Sequence, residues 1–247
     1  MPLLLIVFLW SFSIVAQAES ITLANTHWPP WRILKNDGHL KGIEIDILER
    51  LSEQLGLSLE TKGCGWKRCL KHMKFGGSDV MTGLQKTPER EQYMTFIEPP
   101  YRTIQSICFY TNKARAINIR NYDDLRELTI GVIQKVAYFE PFDKDQKIKK
   151  HEVTTGDNLL RLVEGNKIDA LVNECLAGDN FIKEKKLSHV MKRTEYVHSE
   201  VRPIYLAISN KSPLLKRKNE ISNELKKMID KGEIAKITAS YGLVDVK

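Results

Sequence analysis

The chain predicts an α/β fold of two lobes with a ligand cleft between them. Three observations point there. Strand-like and helix-like segments alternate from residue 21 to residue 84. The same rhythm restarts after Tyr101. Near the end the chain returns through one more strand, RPIYLAIS (202–209), into two closing helices. Alternation of short apolar runs with helical periodicity favours parallel sheets covered by helices. With 247 residues, 42 % of them apolar, there is enough chain for one large domain or two modest ones.

The elements follow in order. ITLAN (21–25) reads as a strand, and Pro29 and Pro30 break it. In GIEIDILERLSEQLG (42–56), Ile47, Leu48, Leu51 and Leu55 share one helical face and Gly56 is a natural stop. LSLE (57–60) is a short strand, 66–74 a helix carrying Leu70 and Met73, and SDVMTGL (78–84) a buried strand. In the second round SICFYT (106–111) is a strand, YDDLREL (122–128) a short helix and TIGVI (129–133) a strand. AYFEPF (137–142) is expected to begin a helix. HEVTT (151–155) reads as a strand, DNLLRLVEG (157–165) as a helix and IDALVN (168–173) as a strand. Two helices close the chain, with Ile221, Leu225 and Met228 on one and Ile234, Ile237 and Tyr241 on the other. No Gly/Ser-rich linker separates the rounds, so the hinges are expected to be strand crossings near 102–104 and 202–204. Lobe 1 is then 19–103 with 205–247, and lobe 2 is 104–204. Ligands of such sheets bind beyond the carboxyl ends of strands.

The first residues, MPLLLIVFLWSFSIVAQAES, carry an apolar run from Leu3 to Trp10 followed by Ala16-Gln17-Ala18. That pattern reads as a secretory signal peptide of residues 1–18, cut after Ala18, although no Lys or Arg precedes the apolar run. The run is short for a membrane span. A periplasmic destination follows. The net charge of +7 comes from lysines scattered among acids without an aromatic–basic array. That is a solvated basic surface and not a nucleic-acid partner. Cys64, Cys69, Cys108 and Cys175 permit three disulfide connectivities. The short loop in CGWKRC favours a local Cys64–Cys69 bridge, and Cys108 and Cys175, both in lobe 2, are candidates for a second. Zinc is the alternative, but further ligands at metal spacing are lacking.

One arginine stands out. Thr87-Pro88-Glu89-Arg90 looks like a helix start, with Thr87 as N-cap and Pro88 in the first helical position. A guanidinium there can hold a carboxylate through two parallel hydrogen bonds. It could equally be a surface arginine paired with Glu89 or Glu91.

WPPW followed by GHLKGIEIDILERLSEQLG, GGSDVMTGLQKTPEREQYMTFIEPPY, YDDLRELTIGV, LVEGNKIDALVNE and MIDKGEIAKITASYG, in this order, cover nearly all of the chain after residue 18. Together they resemble the periplasmic amino-acid-type solute-binding proteins, extracellular solute-binding protein family 3, whose fold is the type II periplasmic-binding-protein fold. The resemblance implies that Arg90 clamps a ligand carboxylate. It implies that Trp28 covers the ligand, that Trp66 forms a second aromatic wall and that Glu174 binds the ligand amino group. For both tryptophans ordinary core packing is the alternative. Two positions depart from the family pattern. Lys135-Val136 stands where a Gly-Thr pair is usual, so the close backbone approach that Gly permits is expected to be lost, and Lys135 itself is placed to meet an anion. Thr82 is kept, but Gln85 stands where Ser or Thr is common. A modified amino acid, a peptide-like molecule or another carboxylate therefore competes with a standard α-amino acid as ligand.

The expected function is solute capture for a membrane transporter of the ABC class, by a monomer without cofactor or metal. Two alternatives share the fold: a cyclohexadienyl-dehydratase-like enzyme with Glu174 as general acid, and a ligand-sensing partner of a membrane receptor. No Ser-His-Asp order, metal cluster or phosphate loop favours catalysis, and His27 is the one histidine near the expected site.

Overall fold

The computed structural model describes residues 19–243. The expected signal segment lies outside the described residues. Among them no helix is long and apolar enough to cross a membrane.

The first round of elements is β1 (Glu19–Asn25), the small hairpin β2 (Ile33–Leu34) and β3 (Leu40–Lys41), α1 (Ile43–Gln54), β4 (Leu57–Gly63), α2 (Trp66–Phe75), β5 (Val80–Leu84), α3 (Pro88–Glu91) and β6 (Met94–Phe96). The second is β7 (Arg102–Asn112), β8 (Thr129–Ile133), β9 (Lys149–Val153), α4 (Gly156–Glu164), β10 (Ala170–Glu174) and α5 (Cys175–Glu184). The 19-residue β11 (Met191–Ser209), then α6 (Lys218–Asp230) and α7 (Glu233–Ser240), complete the chain.

Among the described residues the strands run in the order β4-β1-β5-β11-β7-β10-β8-β9, with β6 also on β11. The outer pairs β1–β4, β1–β5, β8–β10 and β8–β9 are parallel. The two halves meet on the long antiparallel pair β7–β11. There Arg202, Pro203 and Ile204 lie opposite Ile104, Thr103 and Arg102. Beyond this seam the far end of β11 pairs with β5 and β6. One strand thus serves both halves and needs no separate linker.

Each sheet carries apolar side chains on both faces, as buried parallel strands require. Along β7, Ile107 and Phe109 join one core layer and Cys108 and Tyr110 the other. On β11, Ile204, Leu206 and Ile208 face the first layer and Tyr205 and Ala207 the second. That is the two-residue period of a strand. Both expected disulfides are formed, Cys64–Cys69 and Cys108–Cys175. They remove the zinc alternative, since all four thiols are consumed.

Two segments differ from expectation. Residues 137–142 form turns and no helix. Asp143 carboxylate oxygens accept the Tyr138 N–H at 2.9 and 3.1 Å, and Phe139 O accepts the Asp143 N–H at 2.9 Å. Glu140 precedes proline, which disfavours helical backbone, and an aspartate that takes a nearby N–H offers the chain a turn instead. Conversely, α5 was not anticipated. Its first residue, Cys175, is tied to β7 through the disulfide, and the Tyr110 hydroxyl lies 2.8 Å from each of two acceptors on the helix, Cys175 O and Asp179 Oδ1.

Candidate functional site

A cavity of about 50 Å³ lies at the seam of the two halves, lined by residues of both, among them Trp28, Trp66, Gln85, Arg90, Glu174 and three further arginines, Arg32, Arg102 and Arg202. It adjoins an open groove of about 540 Å³ that shares Arg90, Val136, Ala137 and Tyr138.

Arg90 is placed by its helix start. The Thr87 hydroxyl accepts the Arg90 N–H at 3.3 Å, and Pro88 fills the first helical position. The side chain is only 5 % exposed. It spans the seam: Nη1 donates to Gln85 O at 2.8 Å and Nη2 to Lys135 O at 3.0 Å. Trp66 Nε1 donates to the same Lys135 carbonyl at 3.0 Å, and the guanidinium sits 5.5 Å from the Trp66 ring centre. Gln85 completes the stitching. Its Nε2 donates to Ala137 O at 3.0 Å, and its Oε1 accepts Arg202 Nη1 at 3.1 Å.

Glu174 ends β10 and is buried, but its carboxylate is engaged. Arg102 Nη1 donates to Glu174 Oε1 at 3.3 Å, and Arg102 Nε donates to Glu44 Oε1 at 3.0 Å. Arg32 holds the second oxygen of Glu44. The run Arg32–Glu44–Arg102–Glu174 is thus a buried ion-pair chain that reaches from α1 to β10. The two arginines pull Glu44 down to about 2 against the burial that pushes it up. Glu174, with one arginine, is pushed above the ordinary carboxylate range by burial. The Arg102 guanidinium also lies 3.8 Å from the Trp31 ring centre. Gly83 makes room for this chain. Its φ is +73°, and a Cβ there would come 1.9 Å from Arg32 Nη1.

The structure therefore brings Arg90, Trp28, Trp66, Gln85 and Glu174 together on one cavity. Two expected ligand contacts are not placed so. Thr82 does not line the cavity: its hydroxyl accepts the Asn25 amide at 2.8 Å and helps to hold the Glu44 carboxylate. The Lys135 side chain points away, with Nζ 3.3 Å from Glu89 and half of the side chain exposed. What Lys135 presents to the seam is its carbonyl. Its φ of +66° puts it in the left-handed region, which costs a non-glycine residue about 1–2 kcal/mol. The backbone approach expected to be lost with Gly is kept, with a lysine in the strained position. His27 stands outside the cavity, its Nδ1 accepting the Leu34 N–H at 3.1 Å.

Sequence reasoning missed Arg32, Arg102, Arg202 and Glu44. Arg102 and Arg202 stood inside the expected hinge crossings, each two residues before an isoleucine, Ile104 and Ile204, of a strand run. A charged residue that must be buried calls for a partner, and that signal was present. Glu44 sits between Ile43 and Ile45 at the start of an apolar helical run, the same signal.

Comparisons with known proteins bear on the family and the fold. Residues 21–244 match the model of the bacterial extracellular solute-binding proteins, family 3. Similar curated proteins include a probable histidine-binding protein of Neisseria gonorrhoeae, 21 % identical over 65 % of this chain and 60 % of its own length. An L-cystine-binding protein of Escherichia coli K12 is 24 % identical over 64 % of this chain and 59 % of its own length. The chain thus matches about three fifths of the length of these relatives. Among solved structures, an ancestral arginine-binding protein bound to arginine superposes with a TM-score of 0.75 at 20 % identity, covering 90 % of this chain and 97 % of that one. A histidine kinase sensor domain similar to periplasmic binding proteins gives 0.77 at 17 % identity, covering 93 % and 98 %. These likenesses establish a two-lobed binding-protein fold. With the family model spanning almost every described residue, this chain belongs to the bacterial extracellular solute-binding proteins, family 3.

Proposed function

We propose that this chain captures a small amino-acid-like or carboxylate solute between two lobes and presents it to a membrane transporter. Lobe 1 is 19–103 with 205–247, lobe 2 is 104–204, and the hinges are the β7 and β11 crossings. The observation that carries the reading is that the cavity is assembled from both halves, with Arg90, Trp66 and Gln85 of one side bonded to the Lys135 and Ala137 carbonyls of the other. Parting the lobes breaks these bonds and opens the site, and a solute that bridges the halves favours the shut form. Arg90 is the carboxylate clamp, Trp28 and Trp66 wall the site, and Glu174 turns its remaining oxygen toward the ligand ammonium. The protein is a monomer of the periplasm, delivered there by residues 1–18. A thermal-shift screen of amino acids, small peptides and organic acids, followed by calorimetry, tests this. At one hundred times its dissociation constant a true ligand stabilises by about 2.7 kcal/mol, a rise of roughly 5–11 °C for a chain of this size. A flat screen across all three classes overturns the reading.

One observation supports an enzyme instead: Glu174 is a buried acid pushed upward, as a general acid needs. Its bond to Arg102 weighs against that role, because a proton donor must be free to reach the leaving group. Incubation with a cyclohexadienyl acid, followed by aromatic absorbance, separates the two. Turnover that Glu174→Gln abolishes would favour the enzyme.

A further inference from the structure

Arg202 is the arginine of the cavity whose hydrogen bonds do not add up. It lies on β11 at the seam, opposite Ile104, and is 7 % exposed. Nη1 donates to Gln85 Oε1 at 3.1 Å. Nε and Nη2 are buried and, among the described residues, have no hydrogen-bond partner. The nearest carboxylate is that of Glu200, 3.9 Å from Nε, beyond hydrogen-bonding distance and half exposed to water. Buried guanidinium N–H groups without acceptors are costly, and they persist in folded proteins where something else completes them. Burial also lowers the Arg202 pKa, the direction expected of a cation lacking a full partner.

The charge of the surroundings says what would complete them. Arg32, Arg90, Arg102 and Arg202 line the cavity. Glu44 supplies both oxygens to Arg32 and Arg102, and Glu174 supplies one to Arg102. Asp143 is felt by Arg90 and Arg202, yet its oxygens take the Tyr138 N–H. Counting Asp143 and Glu200, four carboxylates stand against four arginines, yet none of them accepts a hydrogen bond from Arg202 Nε or Nη2. A neutral amino acid has one carboxylate, which Arg90 takes, and a basic one would set a further cation against these arginines. A solute with two carboxylates has one left to accept from Nε and Nη2 of Arg202.

We propose that Arg202 is an anion-holding residue of this cavity and that the solute selected is an acidic amino acid or a related dicarboxylate, one carboxylate on Arg90 and the other on Arg202. This rests on the solute-binding reading above. The curated relatives named for histidine and cystine binding do not point this way; the inference comes from the arginines of this chain.

Calorimetry of the intact protein with L-glutamate, L-aspartate and glutarate, set against L-glutamine, L-arginine and L-histidine, tests it. At least one of the three acids should bind with unit stoichiometry, about 30-fold or more tighter than L-glutamine or either basic amino acid. Arg202→Gln should weaken that acid by about 30-fold or more, and by a larger factor than it weakens L-glutamine. The variant should also melt no lower than the wild type without solute, because it removes an incompletely paired buried charge. Arg202→Lys, which keeps the charge but not the fork, should fall between the two. Preferred binding of L-arginine or L-histidine would overturn the inference and leave solute capture standing. So would an acid bound equally by Arg202→Gln and wild type. If the variant does not fold, the ligand series on the wild type decides the solute class and Arg202→Lys decides the residue. Binding of no panel member overturns the inference together with an amino-acid reading of the site.

Discussion

Substituting Glu44 by Gln removes the centre of the buried ion-pair chain. Its carboxylate accepts from Arg32 and Arg102, and the Glu44 side chain is shielded from water. With one partner of a buried pair gone, the remaining charge is left uncompensated, which costs about 3–5 kcal/mol. Here Arg32 loses its anion and Arg102 is left with Glu174 alone, so a cost within that range is expected. For a chain of this length each kcal/mol moves the melting point by roughly 2–4 °C, giving a fall of about 6–20 °C at pH 7. A pH signature accompanies it. The Glu44 pKa is held at about 2 in the fold against an ordinary 4.5. A depressed acid adds stability that is complete above the unfolded value and is lost as pH falls toward the folded one. The window is therefore about pH 4.5 down to 2, and the loss is on the order of 3 kcal/mol. Glu174 has the opposite sign: its folded pKa is raised, so it opposes folding at neutral pH and ceases to do so as acid protonates it. That relief comes above pH 4.5, before the Glu44 loss begins. Because Glu44 itself helps to raise Glu174, the difference between wild type and Glu44→Gln reports the two together. Urea unfolding at pH 7, 5, 4 and 3 measures both. A variant that melts within about 2 °C of wild type at pH 7, or whose deficit does not shrink as the pH falls, would refute the reasoning.

Further outcomes follow from other parts of the molecule. In the chain-entropy model the Cys108–Cys175 bridge, 67 residues apart, stabilises by about 4 kcal/mol and the Cys64–Cys69 bridge, 5 apart, by about 2 kcal/mol. Paired Ser substitutions compared by urea denaturation should rank in that order, and the reverse order would count against it. Gly83→Ala should destabilise by roughly 1–3 kcal/mol, because φ is +73° and the new Cβ would strike the Arg32 guanidinium; a neutral or stabilising effect would mean that Arg32 is not held there. Small-angle scattering should show a smaller radius of gyration with solute than without, and an unchanged radius at saturation would contradict lobe closure.

Much of the fold was legible in the sequence because its signals are local. The period of 3.6 marked α1, α4, α6 and α7, and Thr87-Pro88 announced α3. The errors were local as well. At 137–142 the pattern looked helical, but Asp143 and Pro141 offered the chain a turn. The site was legible in part. Arg90 was named where a family resemblance and helix-start chemistry coincided, and Trp28, Trp66, Gln85 and Glu174 through the resemblance alone; all five line one cavity. Arg32, Glu44, Arg102 and Arg202 were not, since each is defined by partners distant in the chain, such as Glu44 with Arg102, 58 residues away. At Lys135 the loss of Gly was expected to forbid the left-handed backbone, yet the lysine adopts it with φ of +66°. The backbone conformation is what that position requires, and a lysine supplies it at a cost.

The most direct test of solute capture at the seam is a calorimetric titration of Arg90→Ala with the solute that the screen identifies. Wild type and Arg161→Ala, an exposed change on α4, serve as references. Arg161→Ala should bind as wild type does. Arg90→Ala should fold, as judged by circular dichroism, and bind about 30- to 4,000-fold more weakly, the equivalent of 2–5 kcal/mol for a buried carboxylate that loses its partner. Arg90→Lys should recover only part of that loss, since an ammonium cannot make two parallel bonds. Wild-type affinity in a folded Arg90→Ala protein would contradict the assignment of the site.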